Sequence, residues 1–132
     1  MDLSIFDKEY QHKFVVTQAV YDGFQQCSGD FNSLHTKIDF AKSKGFNECV
    51  MYGNILNGFV SYFVGMMLPT PDVIIHSQDI SFKNPVFLND ELDFTAKVEA
   101  VSEAVNTVIF KYTFRSGGGK IVAKGHVQIG VL

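Results

Sequence analysis

One apolar segment, residues 53–68, constrains the fold of this chain more than any other feature. Its apolar side chains recur at intervals of three and four residues, which predicts a helix with a broad apolar face. Pro69 follows directly and predicts the end of that helix, because proline lacks an N–H group and restricts the residue before it. The segment is too short, and too often interrupted by polar residues and glycine, for a membrane span. We therefore interpret it as the buried central helix of the fold.

Four segments after this helix have the composition of β-strands. They are rich in β-branched and aromatic residues and are separated by short stretches of turn-forming residues. Their ranges are 73–82, 92–101, 107–114 and 121–131. We expect an antiparallel sheet that covers the long helix with one face, so that each element buries an apolar surface.

The part of the chain before the central helix predicts one extended segment and two helices. Residues 11–16 have an extended pattern, and residues 18–27 form a helix that Thr17 caps. A second helix is predicted at residues 38–44. Gly29 ends the first helix, because glycine adopts the positive φ that a helix terminus requires.

Composition excludes several classes of protein. A chain of 132 residues without repeats or linkers is predicted to form one α+β domain spanning residues 1–132. Hydrophobic residues make up 46% and aromatic residues 14%, which indicates a substantial apolar core. The net charge of −3 argues against a nucleic-acid partner, because such proteins carry a basic surface. The lysines between residues 37 and 44 are interpreted as a solvated helix face, with a ligand site as the alternative.

Residues 28–35 contain the pair of side chains best suited to acid–base chemistry. Asp30 and His35 lie five residues apart around a turn that begins at Gly29. An ionised aspartate accepts a proton and a histidine exchanges one near neutral pH, so the two could polarise one water molecule. Asp30 and Asn32 also favour local hydrogen bonds in turns. A purely structural role in capping the turn is therefore the alternative for this motif.

Cysteine and histidine usage predicts a protein of the cell interior without a metal site. Cys27 and Cys49 are the only cysteines, and the N-terminus lacks the pattern of a signal peptide, so we expect a cytoplasmic protein. Cys27 could act as a nucleophile beside His35, but a small buried side chain near a helix end is the simpler interpretation. The remaining histidines lie in extended segments, without metal-ligand spacing, and are expected to be surface or hydrogen-bonded strand residues: His12, His76 and His126.

Several motifs in one order resemble those of a known family. Residues 28–35 are followed by a short amphipathic segment, by Tyr-Gly-Asn at residues 52–54 opening the apolar helix, and by residues 81–87 and 89–91. Over nearly the whole chain this arrangement resembles the MaoC-like (R)-specific enoyl-CoA hydratases and dehydratases. The resemblance implies the hot dog fold, in which an antiparallel sheet wraps around a long central helix. It also implies a homodimer, or an assembly of dimers, with substrate channels near the dimer interface.

The activity that the resemblance implies is the reversible addition of water to a trans-2-enoyl thioester, giving an (R)-3-hydroxyacyl thioester. The substrate would be an acyl-CoA or an acyl carrier protein thioester, so no separate cofactor is expected. By resemblance Asp30 and His35 activate the water, and the Gly53 amide at the helix N-terminus binds the thioester oxygen. Asn32 would order the loop. Ser61 would lie near the substrate, with a core neighbour as its alternative contact.

The sequence departs from the family pattern at three positions. Ser33 stands where proline is usual, which loosens the turn without removing a reacting group. Tyr52 and Asn54 flank Gly53 where histidine and methionine are usual. Two interpretations of these residues are open: contact with the substrate, Tyr52 by a hydrogen bond to the thioester and Asn54 at the mouth of the site, or packing at the helix start.

Two other functions are compatible with the same fold. An acyl-CoA thioesterase commonly uses an acidic residue on the central helix to direct water at the carbonyl, and residues 53–68 contain no aspartate or glutamate. A non-catalytic acyl-thioester-binding protein is the other alternative. Such a module needs no proton transfer, so the presence of both Asp30 and His35 argues against it.

Overall fold

The computed structural model describes residues 2–132, which form an antiparallel sheet of five strands with helices packed against it. The strands are β1 (Tyr10–Val15), β2 (Val73–Phe82), β3 (Glu91–Ser102), β4 (Thr107–Arg115) and β5 (Ile121–Val131). The helices are α1 (Gln18–Ser28), α2 (Ser33–Thr36), α3 (Ile38–Ser43) and α4 (Ile55–Tyr62). Short 3₁₀ turns lie at Leu3–Phe6 and Glu103–Val105, and a π turn at Phe63–Met67.

The strand order is β1-β3-β4-β5-β2, and every neighbouring pair is antiparallel. The antiparallel sheet predicted from the sequence is therefore confirmed, and each predicted strand agrees with the observed one within one residue at either end. Strand β2 follows the central helix in the chain but pairs with β5, so it forms one edge of the sheet. Strand β1 forms the other edge, beside β3.

Alternating burial shows which face of the sheet packs against the helices. In β4 every second side chain is buried: Val108, Phe110, Tyr112 and Phe114. Successive side chains of a strand point to opposite faces, so these four lie on the inner face. Across the pair with β3, Phe94 lies opposite Phe114.

The central helix begins slightly later than the sequence predicts. Its first backbone bonds are of the three-residue type, from Ile55 N–H to Tyr52 O and from Leu56 N–H to Gly53 O, each at 3.1 Å. The chain at Gly53 is therefore a tight turn, and α4 proper starts at Ile55. At the other end a wider π turn, Phe63–Met67, leads into Pro69.

Aromatic side chains fill the space between the sheet and the central helix, including the π turn that follows α4. Phe63 is fully buried, and its ring centroid lies 5.2 Å from those of Tyr10, Phe94 and Phe110. Such contacts add about 0.5–1.5 kcal/mol per pair beyond the burial of apolar area. The inner face of the sheet thus packs against α4 and its π turn.

Capping residues fix the elements before the central helix. Oγ1 of Thr17 accepts a hydrogen bond from Val20 N–H at 3.2 Å, and Gly29 ends α1 with a φ of 69°. Both were predicted. The sequence predicts a turn at residues 33–36, but these residues form the short helix α2. The side chain of Asn32 caps this helix through Leu34 N–H.

The histidines outside the 28–35 loop lie on strands, as predicted. His126 on β5 lies between two carboxylates, with Nδ1 3.3 Å from Asp79 Oδ2 and Nε2 2.9 Å from Glu99 Oε2. His76 contacts Gln128, and His12 packs on Phe14 and Tyr62. In the described part of the chain, no helix has the length and apolar character needed to cross a membrane.

Candidate active site

The loop between α1 and α2 is shaped by the side chains of Asp30 and Asn32. Oδ1 of Asp30 accepts a hydrogen bond from Asn32 N–H at 2.9 Å, and Oδ1 of Asn32 accepts one from Leu34 N–H at 2.9 Å. These are local turns of the kind that aspartate and asparagine favour. Within residues 2–132, Oδ2 of Asp30 makes no hydrogen bond, and the side chain is exposed. That oxygen is available to a water molecule or a substrate.

The imidazole of His35 is held by its neighbours in a defined tautomer. Nδ1 of His35 lies 2.6 Å from Val50 O. A carbonyl oxygen only accepts hydrogen bonds, so Nδ1 carries the proton in this contact. In the neutral ring Nε2 then has the lone pair, which allows it to accept a hydrogen bond from water.

Tyr52 connects this loop to the start of the central helix. Its side chain is buried, and its hydroxyl donates a hydrogen bond to Asp30 O at 2.5 Å. The same hydroxyl accepts one from Gln25 Nε2 at 3.1 Å. The Tyr52 ring lies against the His35 ring, with 4.2 Å between centroids and 31° between planes. Of the two interpretations of Tyr52, the structure supports packing at the helix start, because the hydroxyl proton of Tyr52 is already donated to Asp30 O.

Tyr21 on α1 contacts both His35 and Tyr52. Its hydroxyl donates a hydrogen bond to the backbone oxygen of His35, and its ring lies 5.0 Å from that of Tyr52. Burial, with smaller contributions from Tyr52 and Cys49, raises the pKa of Tyr21 to about 12. Tyr21 therefore remains protonated, and remains a donor to His35, at neutral pH.

Gly53 follows Tyr52 directly and forms the tip of the central helix. Its N–H group donates to no backbone oxygen of residues 2–132, as is usual for the first amides of a helix. A Cβ atom at this position would lie 3.1 Å from Cε1 of Phe82 on β2. The aromatic ring thus packs directly over the glycine.

An open cavity of about 320 Å³ lies beside Gly53. Most of its walls are apolar, and its lining residues are Val50, Met51, Gly53, Leu56, Phe82, Lys83, Asn84, Pro85 and Val86. Asp30 and His35 do not line it within this single chain. Val50 belongs to the wall, however, and its carbonyl oxygen is the one that holds His35.

Asn54 and Ser61 lie apart from these contacts. Oδ1 of Asn54 accepts a hydrogen bond from Asn57 Nδ2 at 2.9 Å, and Asn57 in turn accepts one from Gln78 on β2 at 2.6 Å. Ser61 is exposed on α4, and its hydroxyl makes no hydrogen bond to another residue of the described chain. A substrate contact for either residue remains a prediction.

The structure therefore brings together four of the seven predicted site residues. Tyr52 connects them: its hydroxyl donates to the backbone oxygen of Asp30, its ring lies against the His35 ring, and Gly53 follows it in the chain. Asn32 caps α2, the helix that carries His35, and its N–H group donates to the side chain of Asp30. The catalytic roles of these residues remain predictions.

Four residues that were not predicted support the site from distant parts of the chain: Tyr21, Gln25, Val50 and Phe82. Tyr21 and Gln25 are four residues apart on α1, and residues at this spacing share a helix face. That spacing was the available signal. Nothing local in the sequence connects Val50 to His35 or Phe82 to Gly53.

Metal-binding side chains do not cluster in the part of the chain described. No group of three or more histidine, cysteine, aspartate or glutamate side chains there could hold a metal ion. The two cysteines are free: Cys27 is exposed and Cys49 is partly buried. The expectation of a buried Cys27 is therefore wrong, because its position near the end of α1 lies on the solvent side.

Comparison with known proteins gives consistent similarities. Residues 6–115 match the family model of the MaoC like domain. The chain is 33% identical over 108 residues to the (R)-specific enoyl-CoA hydratase of Aeromonas caviae, covering 80% of this chain and 79% of that relative. It is 31% identical over 106 residues to the (R)-specific enoyl-CoA hydratase of Rhodospirillum rubrum, covering 80% of this chain and 73% of the relative.

Solved structures have the same fold. The structure described as the (R)-hydratase from A. caviae involved in PHA biosynthesis superposes with a TM-score of 0.90 at 25% identity, over 100% of both chains. This match confirms the predicted hot dog architecture. On the strength of the family match and of two relatives more than 30% identical, the chain belongs to the MaoC-like domain family.

Proposed function

We propose that this protein is a hydro-lyase that adds water reversibly to a trans-2-enoyl thioester and forms the (R)-3-hydroxyacyl thioester. The relatives named (R)-specific enoyl-CoA hydratase and 3-hydroxybutyryl-CoA dehydratase support this class of reaction. The observation that carries the proposal is the contact between the Asp30–His35 loop and the Tyr52–Gly53 turn. It combines proton-transfer groups with an amide donor at a helix tip.

In the proposed reaction the water donates hydrogen bonds to Asp30 Oδ2 and His35 Nε2. One proton moves from the water to this pair as the oxygen forms a bond to C3. A proton then returns from the pair to C2, so that both groups regain their starting state. Dehydration follows the reverse path. The pair is treated as a unit because coupled groups share their protons.

The Gly53 amide is proposed to bind the thioester oxygen. Attack at C3 of the conjugated thioester moves negative charge onto that oxygen. A backbone N–H without an acceptor, at the positive end of a helix, stabilises such charge. Removal of a single donor of this kind costs about 3 kcal/mol of transition-state stabilisation in other enzymes.

The test is hydration of crotonyl-CoA, followed as loss of the absorbance of the conjugated thioester. Asp30→Asn is the informative variant, because an asparagine Oδ1 can still accept the hydrogen bond from Asn32 N–H. We expect the loop to keep its shape while kcat falls by about 10²–10⁴, the usual effect of losing a general acid–base group. Asp22→Asn on α1 is the matched control and should leave kcat unchanged, since Asp22 contacts Gln18 away from the loop.

Other outcomes identify the alternatives. Release of free CoA thiol without hydration would indicate a thioesterase. Binding of acyl thioesters without turnover would indicate a binding protein. A coupled assay checks the stereochemistry: the product should be oxidised by an (R)-specific 3-hydroxyacyl dehydrogenase and not by an (S)-specific one.

The proposed reaction uses no cofactor, because the CoA or phosphopantetheine group is part of the substrate. Activity should therefore survive dialysis against a chelator. Acyl-CoA and acyl carrier protein thioesters are both proposed as substrates, and their relative kcat/KM values distinguish them. A cytoplasmic location completes the proposal, supported by two cysteines that are both free.

A homodimer is also proposed, formed through the edge of the sheet at β2. The outer edge of β2 has no neighbouring strand in the described chain, and Ile74 and Phe82 on this strand are 51% and 52% exposed. An unpaired edge with apolar side chains favours pairing with a second copy. Sedimentation equilibrium should give twice the chain mass of 14.7 kDa. A monomer mass throughout the concentration range would contradict the dimer.

A further inference from the structure

Tyr52 makes a hydrogen bond as well as packing contacts with residues of the candidate site. Its side chain is only 2% exposed, yet its hydroxyl has both a donor and an acceptor partner. The acceptor, Asp30 O, is the backbone oxygen of the proposed acid–base residue. The face of the ring meets His35, the second member of the pair. One side chain therefore contacts both halves of the proton-transfer pair.

Three further contacts hold this arrangement in place. The ring of Tyr52 also packs against Tyr21 and Phe24 of α1, with centroids at 5.0 and 5.1 Å. The segment that carries Tyr52 holds His35 a second time, through Val50 O and Nδ1. The 28–35 loop is thus attached to residues 50–52 at Asp30 and at His35.

The position of Tyr52 in the chain gives these contacts their importance. The next residue is Gly53, whose amide is the proposed oxyanion donor. The water-activating pair is therefore connected to that amide through one residue, Tyr52. Reacting groups must keep their positions within about 0.5 Å, and an error of about 1 Å can cost about 100-fold in rate.

We propose that Tyr52 is a positioning residue: its hydroxyl and ring hold the Asp30–His35 loop in register with the Gly53 amide. This inference rests on the hydratase function proposed above. It assigns Tyr52 no contact with the substrate. Its hydroxyl provides the contact to the loop through Asp30 O.

Tyr52→Phe tests the role of the hydroxyl, because phenylalanine keeps the ring against His35 and removes only the oxygen. We expect kcat for crotonyl-CoA to fall about tenfold or more while KM changes by less than about threefold, since a positioning residue acts on the reacting geometry rather than on binding. An unfolding curve confirms that the variant is folded in the assay.

Tyr10→Phe is the matched control. Tyr10 is also buried, and its hydroxyl donates to the backbone oxygen of Phe6 at 3.0 Å, away from the loop. Both variants lose a hydrogen bond from a tyrosine to a carbonyl, and Tyr52→Phe also loses the bond from Gln25 Nε2. We expect Tyr52→Phe to lose somewhat more stability, by about 1 kcal/mol, and a fall in kcat only from Tyr52→Phe. An equal effect of both on kcat would show that Tyr52 has only a general structural role.

A double variant separates this inference from the proposed function. In an Asp30→Asn background, Tyr52→Phe should change the residual kcat by less than about threefold, because a residue that acts through the pair loses its effect once the pair is broken. If the double variant shows the product of the two single fold-changes in kcat, the inference is overturned. If Asp30→Asn leaves the rate unchanged, the proposed function fails. If Asp30→Asn abolishes hydration and Tyr52→Phe alone has no effect, only the inference about Tyr52 fails.

Discussion

Gly125→Ala should destabilise the protein strongly, although alanine is a small residue and the backbone at this position has no positive φ. Gly125 lies in β5 opposite Ile80 of β2 and Tyr112 of β4. A Cβ atom here would lie 2.0 Å from the backbone oxygen of Asp79 and 2.8 Å from the Tyr112 hydroxyl. The obstacle is therefore the backbone of the neighbouring strand, which cannot rotate away.

The magnitude follows from these distances. A normal contact between carbon and oxygen is about 3.3 Å. The added Cβ atom would lie only 2.0 Å from Asp79 O. Strand β2 must therefore move away from β5 by roughly 1 Å or more. This movement breaks the hydrogen bond of 2.7 Å from the Tyr112 hydroxyl to Asp79 O. A buried donor left unpaired costs about 1–3 kcal/mol, and overpacking costs about the same. Allowing for the better strand propensity of alanine, we expect a loss of about 2–5 kcal/mol.

Gly130→Ala is the matched control on the same strand. Its Cβ atom would lie 2.3 Å from Nε2 of His76, which is the far end of an exposed side chain that can rotate away. We expect a change of less than about 1 kcal/mol. The two variants therefore differ in what the added methyl group meets and in little else.

Urea unfolding measures the free energy of unfolding of both variants. The transition is monitored by far-UV circular dichroism and by tyrosine fluorescence, since the chain has no tryptophan. The difference in the free energy of unfolding between them should be about 1 kcal/mol or more. Equal stability of the two variants would refute the reasoning, because it would mean that β2 does not pack as closely on β5 as the distances require. Strand β2 ends at Phe82, so the Gly125 variant should also disturb the cavity beside Gly53.

Three other predictions concern the site and its supports. Gly53→Ala places a methyl group 3.1 Å from the Phe82 ring, which is half exposed and can move aside. The free energy of unfolding should change by less than about 1 kcal/mol. The initial rate of crotonyl-CoA hydration should fall about tenfold or more. Burial raises the pKa of Tyr21 to about 12, so its contribution to stability is complete below about pH 10 and is lost as the pH rises toward 12, because the unfolded chain releases the proton first. Urea midpoints across this range should fall less steeply in Tyr21→Phe than in the unmodified chain. Asn32→Ala removes the cap of α2 and should cost about 1 kcal/mol, whereas Asn32→Asp retains an acceptor oxygen and should cost less, as thermal unfolding of the pair would show.

Local patterns in the sequence predicted most of the secondary structure. Strands β2 and β5 have the predicted limits, Thr17 caps α1, and Gly29 ends it, because these features depend on neighbours within a few residues. The short helix α2 was missed because a single turn has no periodicity to detect. The tight first turn at Gly53 was not predicted, because the sequence does not distinguish hydrogen bonds between residues three apart from those between residues four apart.

The sequence by itself determined the residue types of the candidate site and the local shape of its loop. Asp30 and Asn32 make their hydrogen bonds two residues along the chain, which local chemistry predicts. Only the tertiary structure decided that the Tyr52 hydroxyl meets Asp30 O, 22 residues away, and that Phe82 packs over Gly53. Such contacts depend on how helices dock and how strands pair across the whole chain, and no neighbouring residue carries that information.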